Sequence, residues 1–333
     1  MQLPYSSELN IGYLSRLFGN TSNCYKFFWF QAILTKLQDG KTCITFDELI
    51  NEMIADTWYM VTEYHLRLGP IGITDNLEEV VKYIGQVHPF ASSENREKII
   101  EFLEQSDDRT ILRFKQTLAL HVPYRLQVPF YDEIAITDKQ WSGSKEILTK
   151  EINRQKHLIY YFISAKGLKT EIEVDSTWAE YLKRNKEILQ GWLQLKLIHY
   201  LQNKNPSVPG IAEKLAPPVS RDLERVRKYW KLILKIDPSI TDIYGKVPLA
   251  EETISVDHFI PWQYVAHDEL WNLHPTTKRI NSSKNNSLPA WGTYFEPLAN
   301  LEYRAYEMRK NYKQVEKELE TCDFREWNYE TAT

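Results

Sequence analysis

Cysteine is scarce in this 333-residue chain: Cys24, Cys43 and Cys322 are all there is, and they lie far apart. They form no CxxC pair and no disulfide framework, which suits a reducing cytoplasm. Long apolar runs are missing too. No stretch approaches about 18 uncharged apolar residues, so a membrane span is not expected. The opening residues, Met1 to Tyr5, lack a basic stretch followed by an apolar run, so no signal peptide is expected. Internal repeats and low-complexity tracts are absent. Excess positive charge is lacking as well, since the formal net charge is −4. Proteins that coat nucleic acid indiscriminately are usually basic, so the sum argues against that class. It leaves room for a local basic patch.

What is present is a globular composition. Hydrophobic residues make up 43% of the chain, enough for two domains and a buried core. The abundant aromatic rings read mainly as core. The first part is helical in pattern. Thr21 and Ser22 are placed to cap a helix through Tyr25-Lys26-Phe27-Phe28-Trp29-Phe30 to Leu37, with Gly40 ending it. Its apolar surface on nearly every side makes it a central element. Thr45 and Glu48 have capping-box spacing and open a second helix to about Leu68, before Gly69-Pro70. Further helices are expected at about 77–87 and 93–105. Residues 157–164 and 169–174 read as a β-hairpin. Thr177 and Glu180 have the same capping spacing and open a long helix to about Asn203.

The segment Asn205-Pro206-Ser207-Val208-Pro209-Gly210 is a break, and Pro217-Pro218 follows. A helix over about 220–236 then carries Leu223, Val226, Trp230 and Ile233 on one face. Arg221, Arg225, Arg227, Lys228, Lys231 and Lys235 supply its cations. A solvated amphipathic face accounts for them in isolation. Their position just before the segment described next also makes them candidates to face DNA. The texture then turns to strand and loop up to about Ala290. A charged closing helix is expected over about 296–320, packing through Leu298, Leu301, Tyr303 and Met308.

The informative segment is Ser255-Val256-Asp257-His258-Phe259-Ile260-Pro261-Trp262, then Leu270-Trp271-Asn272-Leu273, then Lys278-Arg279-Ile280-Asn281-Ser282-Ser283-Lys284. Hydrolysis of a phosphodiester needs a deprotonated, aligned water, neutralisation of the extra transition-state charge and a stabilised leaving oxygen. One histidine base and one hard divalent cation supply all three. Adjacent side chains on a strand point to opposite faces. If Asp257 and His258 both act, the chain must twist, bulge or reach around a strand end there. The histidine also needs an acceptor to fix its tautomer. Asn281 and Lys284, three apart, share one face of a helix.

These residues resemble the HNH endonuclease motif, whose fold is two strands and a helix around one metal. The spacing is similar to the HNH domain of the RNA-guided nuclease of type II CRISPR systems, and Pro289 falls in step with it. The resemblance covers about residues 242–290. It implies that Asp257 is the first metal ligand, His258 the general base and Asn281 the second metal ligand. It further implies that Asn272 holds the loop that orients His258, and that Lys284 contacts phosphate. Many relatives carry CxxC pairs for a structural zinc. This chain has Asp242-Ile243-Tyr244-Gly245-Lys246 in that place, so no zinc is expected and packing must replace it.

The expected fold class is α+β. A mainly helical region, 1–205, is followed by a linker and basic helix, 206–236. An HNH nuclease domain, 237–295, and a closing helix and tail, 296–333, complete the chain. The expected activity is DNA hydrolysis with Mg²⁺, Mn²⁺ or another divalent cation, with Lys278, Arg279, Lys284, Arg225, Lys228 and Lys231 on the DNA backbone. By resemblance, the setting is cytoplasmic and prokaryotic, in restriction or anti-phage defence. The alternative is a regulatory or nucleic-acid-binding subunit of a larger complex, its site controlled by a partner ATPase or sensor or decayed; a homo-oligomer is also open. His267 and His274 are expected within one loop after the Asp-His pair. Each is open as an extra ligand, with a solvated or satisfied core histidine preferred.

Overall fold

The computed structural model describes residues 2–19, 21–131, 136–217, 223–265, 268–285 and 287–322. The chain divides into two compact units, residues 1–217 and 218–333. The architecture is α+β, mostly helical with small sheets. Among the described residues no helix is long and apolar enough to cross a membrane.

In the first unit, helix α1 (Tyr25–Gln38) buries Phe27, Phe28, Trp29, Phe30, Ile33, Leu34 and Leu37. Its N-cap is Cys24, without a side-chain hydrogen bond, rather than Thr21 or Ser22. Burial of the first turn, not a hydroxyl cap, sets where this helix starts. Gly40 follows it at φ +82°, a left-handed conformation that glycine adopts at little cost. Helix α2 (Phe46–Thr62) opens on the Thr45–Glu48 capping box, with both reciprocal bonds formed. It stops at Thr62 rather than near Leu68, and His65 beyond it has φ +52°, which a right-handed helix does not allow.

Helix α3 (Asn76–Val87) is capped by Asp75, whose Oδ1 accepts from the backbone N–H of Leu77 at 3.0 Å and Glu78 at 3.1 Å. Asp75 is buried, and that burial lifts its carboxyl to about 6. Helices α4 (Arg96–Gln105) and α5 (Arg109–Leu118) follow. The sheet joins β1 (Cys43–Thr45), β2 (Tyr160–Phe162) and β3 (Glu171–Val174) in the order β1-β3-β2, all antiparallel. The β2–β3 hairpin matches the expectation. The three-residue β1 is too short to show an alternation, and the sequence pattern does not announce it.

The long helix expected to 203 is two helices, α6 (Ser176–Arg184) and α7 (Lys186–Lys204). Asp175, not Thr177, caps α6. The Asn185 side chain donates to the Tyr181 carbonyl at 2.9 Å, a local bond that competes with helix continuation. Residues 206–217, expected as linker, belong to this unit.

The second unit runs helix α8 (Glu224–Ile236), strands β4 (Ile254–His258) and β5 (Leu273–Thr277), then α9 (Lys278–Lys284), α10 (Trp291–Glu307) and α11 (Lys313–Cys322). The basic helix contributes to this unit's core. Val226, Trp230 and Ile233 of α8 pack with Val256, Leu273, Leu298, Leu301 and Val315. Trp230 Nε1 donates to the Leu273 carbonyl at 2.8 Å, tying α8 to β5. The expected start of α8 at Ser220, with Arg221 among its cations, lies outside the described residues. The closing helix is broken by a 3₁₀ turn at Met308–Lys310. Leu298 and Leu301 are buried as expected, whereas Tyr303 is 65% exposed and does not pack.

Candidate functional site

The turn before β4 is held by a carboxylate. Asp242 is buried, and its Oδ2 accepts from the backbone N–H of Tyr244 at 3.1 Å and Gly245 at 2.8 Å. Its Oδ1 accepts from the Thr276 hydroxyl of β5 at 2.8 Å. One side chain therefore closes the turn and fastens it to the sheet.

Strands β4 and β5 pair antiparallel, with Asp257 opposite His274 and His258 opposite Leu273. His258 is the last residue of β4, so it leaves the sheet at a strand end. Asn272 holds the chain that follows. The Ile260 N–H donates to Asn272 Oδ1 at 2.7 Å, and Asn272 Nδ2 donates to the Ile260 carbonyl at 2.9 Å. The Phe259 N–H donates to the Asn272 carbonyl at 2.8 Å. Asn272 is fully buried, and only an amide satisfies both the donor and the acceptor of Ile260.

His258 Nε2 lies 2.7 Å from Asp268 Oδ1. A carboxylate only accepts, so Nε2 carries a proton, and in the neutral ring Nδ1 then holds the lone pair. Nothing in the sequence singles out Asp268. It stands ten residues beyond His258 in a loop, and only the fold brings the two together.

Helix α9 docks on β4 through the two residues its spacing puts on one face. Asn281 Nδ2 donates to Ser255 Oγ at 2.9 Å and to the Val256 carbonyl at 3.2 Å. The carbonyl partner fixes the amide orientation, which leaves Asn281 Oδ1 as its remaining donor atom for a metal. Lys284 Nζ lies 3.2 Å from Asp257 Oδ2 and 3.4 Å from Oδ1, and donates to the His258 carbonyl at 2.6 Å. The lysine expected on phosphate is thus engaged within the protein, its ammonium spent on the carboxylate. Burial pushes the Asp257 carboxyl up, and the Lys284 ammonium opposes that rise.

His274, expected in a loop, lies on β5 and is fully buried. Nor is it a satisfied core histidine, because neither ring nitrogen has a hydrogen-bond partner. Burial pushes its pKa down to about 3, helped by the charges of Lys284 and His258. It is neutral near pH 7, so its 3.9 Å contact with Asp257 Oδ2 is not an ion pair. Asp257 Oδ2 faces the Lys284 ammonium at 3.2 Å, and the Tyr244 hydroxyl approaches the same carboxylate. A buried polar group left unpaired costs about 1–3 kcal/mol. Two such atoms on one buried imidazole, beside a buried carboxylate, fit a site that takes a cation. His267 lies outside the described residues.

The basic residues fall into separate groups. A cleft of about 640 Å³ is lined by Arg227 and Lys231 of α8, Lys278 at the start of α9, and Ile254 and Ser255 of β4. Ser255 links this cleft to Asn281. Arg225 and Lys228 are exposed on α8 but do not line it. Arg279 and Lys284 line a different pocket of about 340 Å³ with Tyr244 and Pro289.

Residues 244–290 match the HNH endonuclease family. No curated protein and no solved structure matches the chain. The matched segment contains Asp257, His258, Asn272, Asn281 and Lys284. Within the second unit this segment is therefore similar to the HNH endonuclease domain, a likeness that suggests a nuclease acting on nucleic acid. Such nucleases generally use a divalent metal ion.

Proposed function

We propose that the second unit hydrolyses DNA phosphodiesters, with His258 as general base and a divalent cation held by Asp257 and Asn281. The observation that carries this reading is the Asp268–His258 pair, next in sequence to the buried Asp257 carboxylate. Asp268 holds the proton on Nε2, so Nδ1 is the atom that takes a proton from water. Asp268 then stabilises the imidazolium that forms, which favours the transfer. Asn272 fixes the chain beyond His258 and keeps the ring at the strand end. When bound, the cation supplies charge against the pentavalent transition state and the leaving oxygen. By family likeness the products carry 5′-phosphate and 3′-hydroxyl ends.

Lys278, Arg279, Arg225, Lys228 and Lys231 are proposed to hold the DNA backbone, and Lys284 to grip phosphate once released from Asp257. Mg²⁺ and Mn²⁺ are the cations proposed for the assay. A cytoplasmic role in restriction or anti-phage defence follows the family likeness. A second reading, a nuclease licensed by a protein partner, is favoured by the ammonium already seated on Asp257. The test is incubation of the pure protein with supercoiled plasmid in Mg²⁺, Mn²⁺ or EDTA. Nicking with either metal, lost in EDTA and in His258→Ala, is the expected result. Equal nicking by a folded His258→Ala protein overturns the assignment.

A further inference from the structure

We propose that His274 is a third protein ligand of this cation, through Nε2, and that it biases the site toward Mn²⁺- or Co²⁺-like ions over Mg²⁺. The inference rests on the metal reading of Asp257 and Asn281. Three observations carry it. First, Asp257 and His274 are directly opposed in the β4–β5 register, so the backbone fixes their side chains on one face of the ladder. Second, His274 Nε2 lies 3.9 Å from Asp257 Oδ2. Metal–oxygen and metal–nitrogen bonds of about 2.0–2.2 Å place two donors on one ion at most about 4.4 Å apart, when they lie opposite each other across it. The observed separation falls within that span; His274 Nε2 has no hydrogen-bond partner, while Asp257 Oδ2 is faced by the Lys284 ammonium at 3.2 Å, which an entering ion must displace.

Third, the imidazole is fully buried with both nitrogens unpaired. Buried polar side-chain atoms are paired in the large majority of cases, so a purely structural residue here would ordinarily be apolar or satisfied. Among the described residues no three His, Cys, Asp or Glu side chains form a metal cluster. The set proposed instead is one carboxylate, one imidazole and one amide. Carboxylate and amide oxygens suit Mg²⁺, while an imidazole nitrogen suits first-row transition ions. Adding His274 to an oxygen pair therefore shifts preference away from Mg²⁺. Lys284 sits on the same carboxylate and competes with any ion that enters.

The test uses the full chain loaded with Mn²⁺ and read by pulsed electron paramagnetic resonance. Nitrogen-14 coupling from an imidazole is expected in the wild type and in His258→Ala, and is expected to vanish in His274→Leu and His274→Gln. Calorimetry should show Co²⁺ affinity falling at least tenfold in the folded His274 variants, with Mg²⁺ affinity changed less than twofold. No imidazole coupling in the Mn²⁺-loaded wild type overturns the proposal. So does an equal loss of Mg²⁺ and Co²⁺ affinity, which marks His274 as a support for Asp257 rather than a ligand. If the His274 variants fail to fold, the wild type and Asp257→Asn decide. Coupling that disappears in Asp257→Asn upholds the ligand. Metal binding that survives Asp257→Asn unchanged instead sinks the underlying metal assignment.

Discussion

Asp268 Oδ1 and His258 Nε2 lie 2.7 Å apart, which leaves Nδ1 as the basic nitrogen of the ring. Replacing Asp268 with Asn removes the anion that stabilises the protonated ring. Plasmid nicking by Asp268→Asn is expected to fall about 10²–10⁴-fold, the usual worth of a general base and its support. Circular dichroism should be unchanged. Nicking within twofold of wild type would show that His258 does not depend on this carboxylate.

Lys284 neutralises Asp257 in a buried setting, with 8% and 7% of the two side chains exposed. Lys284→Met strands that charge. Breaking one partner of a buried pair costs about 3–5 kcal/mol. The variant should melt at lower temperature in EDTA and recover most of the loss in Mn²⁺. A variant as stable as wild type in EDTA would mean the pair contributes nothing.

Asn272→Ala leaves the Ile260 N–H and carbonyl without their partners. About 2–6 kcal/mol of stability should be lost, from two groups at about 1–3 kcal/mol each. Asn272→Asp keeps the acceptor but has no donor for the carbonyl, so chemical denaturation should rank it with Ala rather than with wild type.

The cleft lined by Arg227, Lys231 and Lys278 yields a comparison of two triple variants. Arg227→Ala/Lys231→Ala/Lys278→Ala should lower the salt dependence of DNA binding by about 0.9 in slope for each phosphate that is no longer neutralised. Arg225→Ala/Lys228→Ala/Lys231→Ala shares only Lys231 with it and should lower the slope less. Equal slopes in both variants and wild type would leave these cations as a solvated face.

In the first unit, burial raises Asp75 from 3.8 to about 6. The folded state thus prefers the protonated form. The stability this contributes is full below about pH 4 and is lost as pH rises through 6, where the charge must be buried. Asp75→Asn keeps an oxygen for the N–H groups of Leu77 and Glu78. It should match wild type near pH 4 and exceed it at pH 7 by about 2–3 kcal/mol. Equal stability at both pH values would refute the shift.

Much of the site can be read from sequence because its residues are fixed by short-range geometry. Asn281 and Lys284 share a helix face whatever the rest of the chain does. Asp257 and His258 are neighbours, and the strand end that both require is where β4 stops. The pairings across β4–β5 are hidden. His274 is sixteen residues from His258, and nothing in the intervening pattern reveals that Asp257 is its cross-strand partner. Asp268 is hidden likewise, in a loop with no period. In the first unit, the capping box at Thr45 is a four-residue event and is legible. The break at Asn185 depends on one side chain choosing its own helix carbonyl, which an apolar period does not register. The Thr177–Glu180 spacing misleads for a related reason: Asp175 offers a stronger acceptor two residues earlier.

The Asp242 clamp has a bearing on chemical hardiness. Where a zinc knuckle is held by thiolates, oxidants attack the very atoms that hold the turn. Here the turn is held by carboxylate oxygens on two backbone N–H groups and one hydroxyl, none of which peroxide converts. The sequence from Pro218 to Thr321 contains no cysteine at all. The turn beside the sheet that carries His258 therefore offers no thiolate for peroxide to attack.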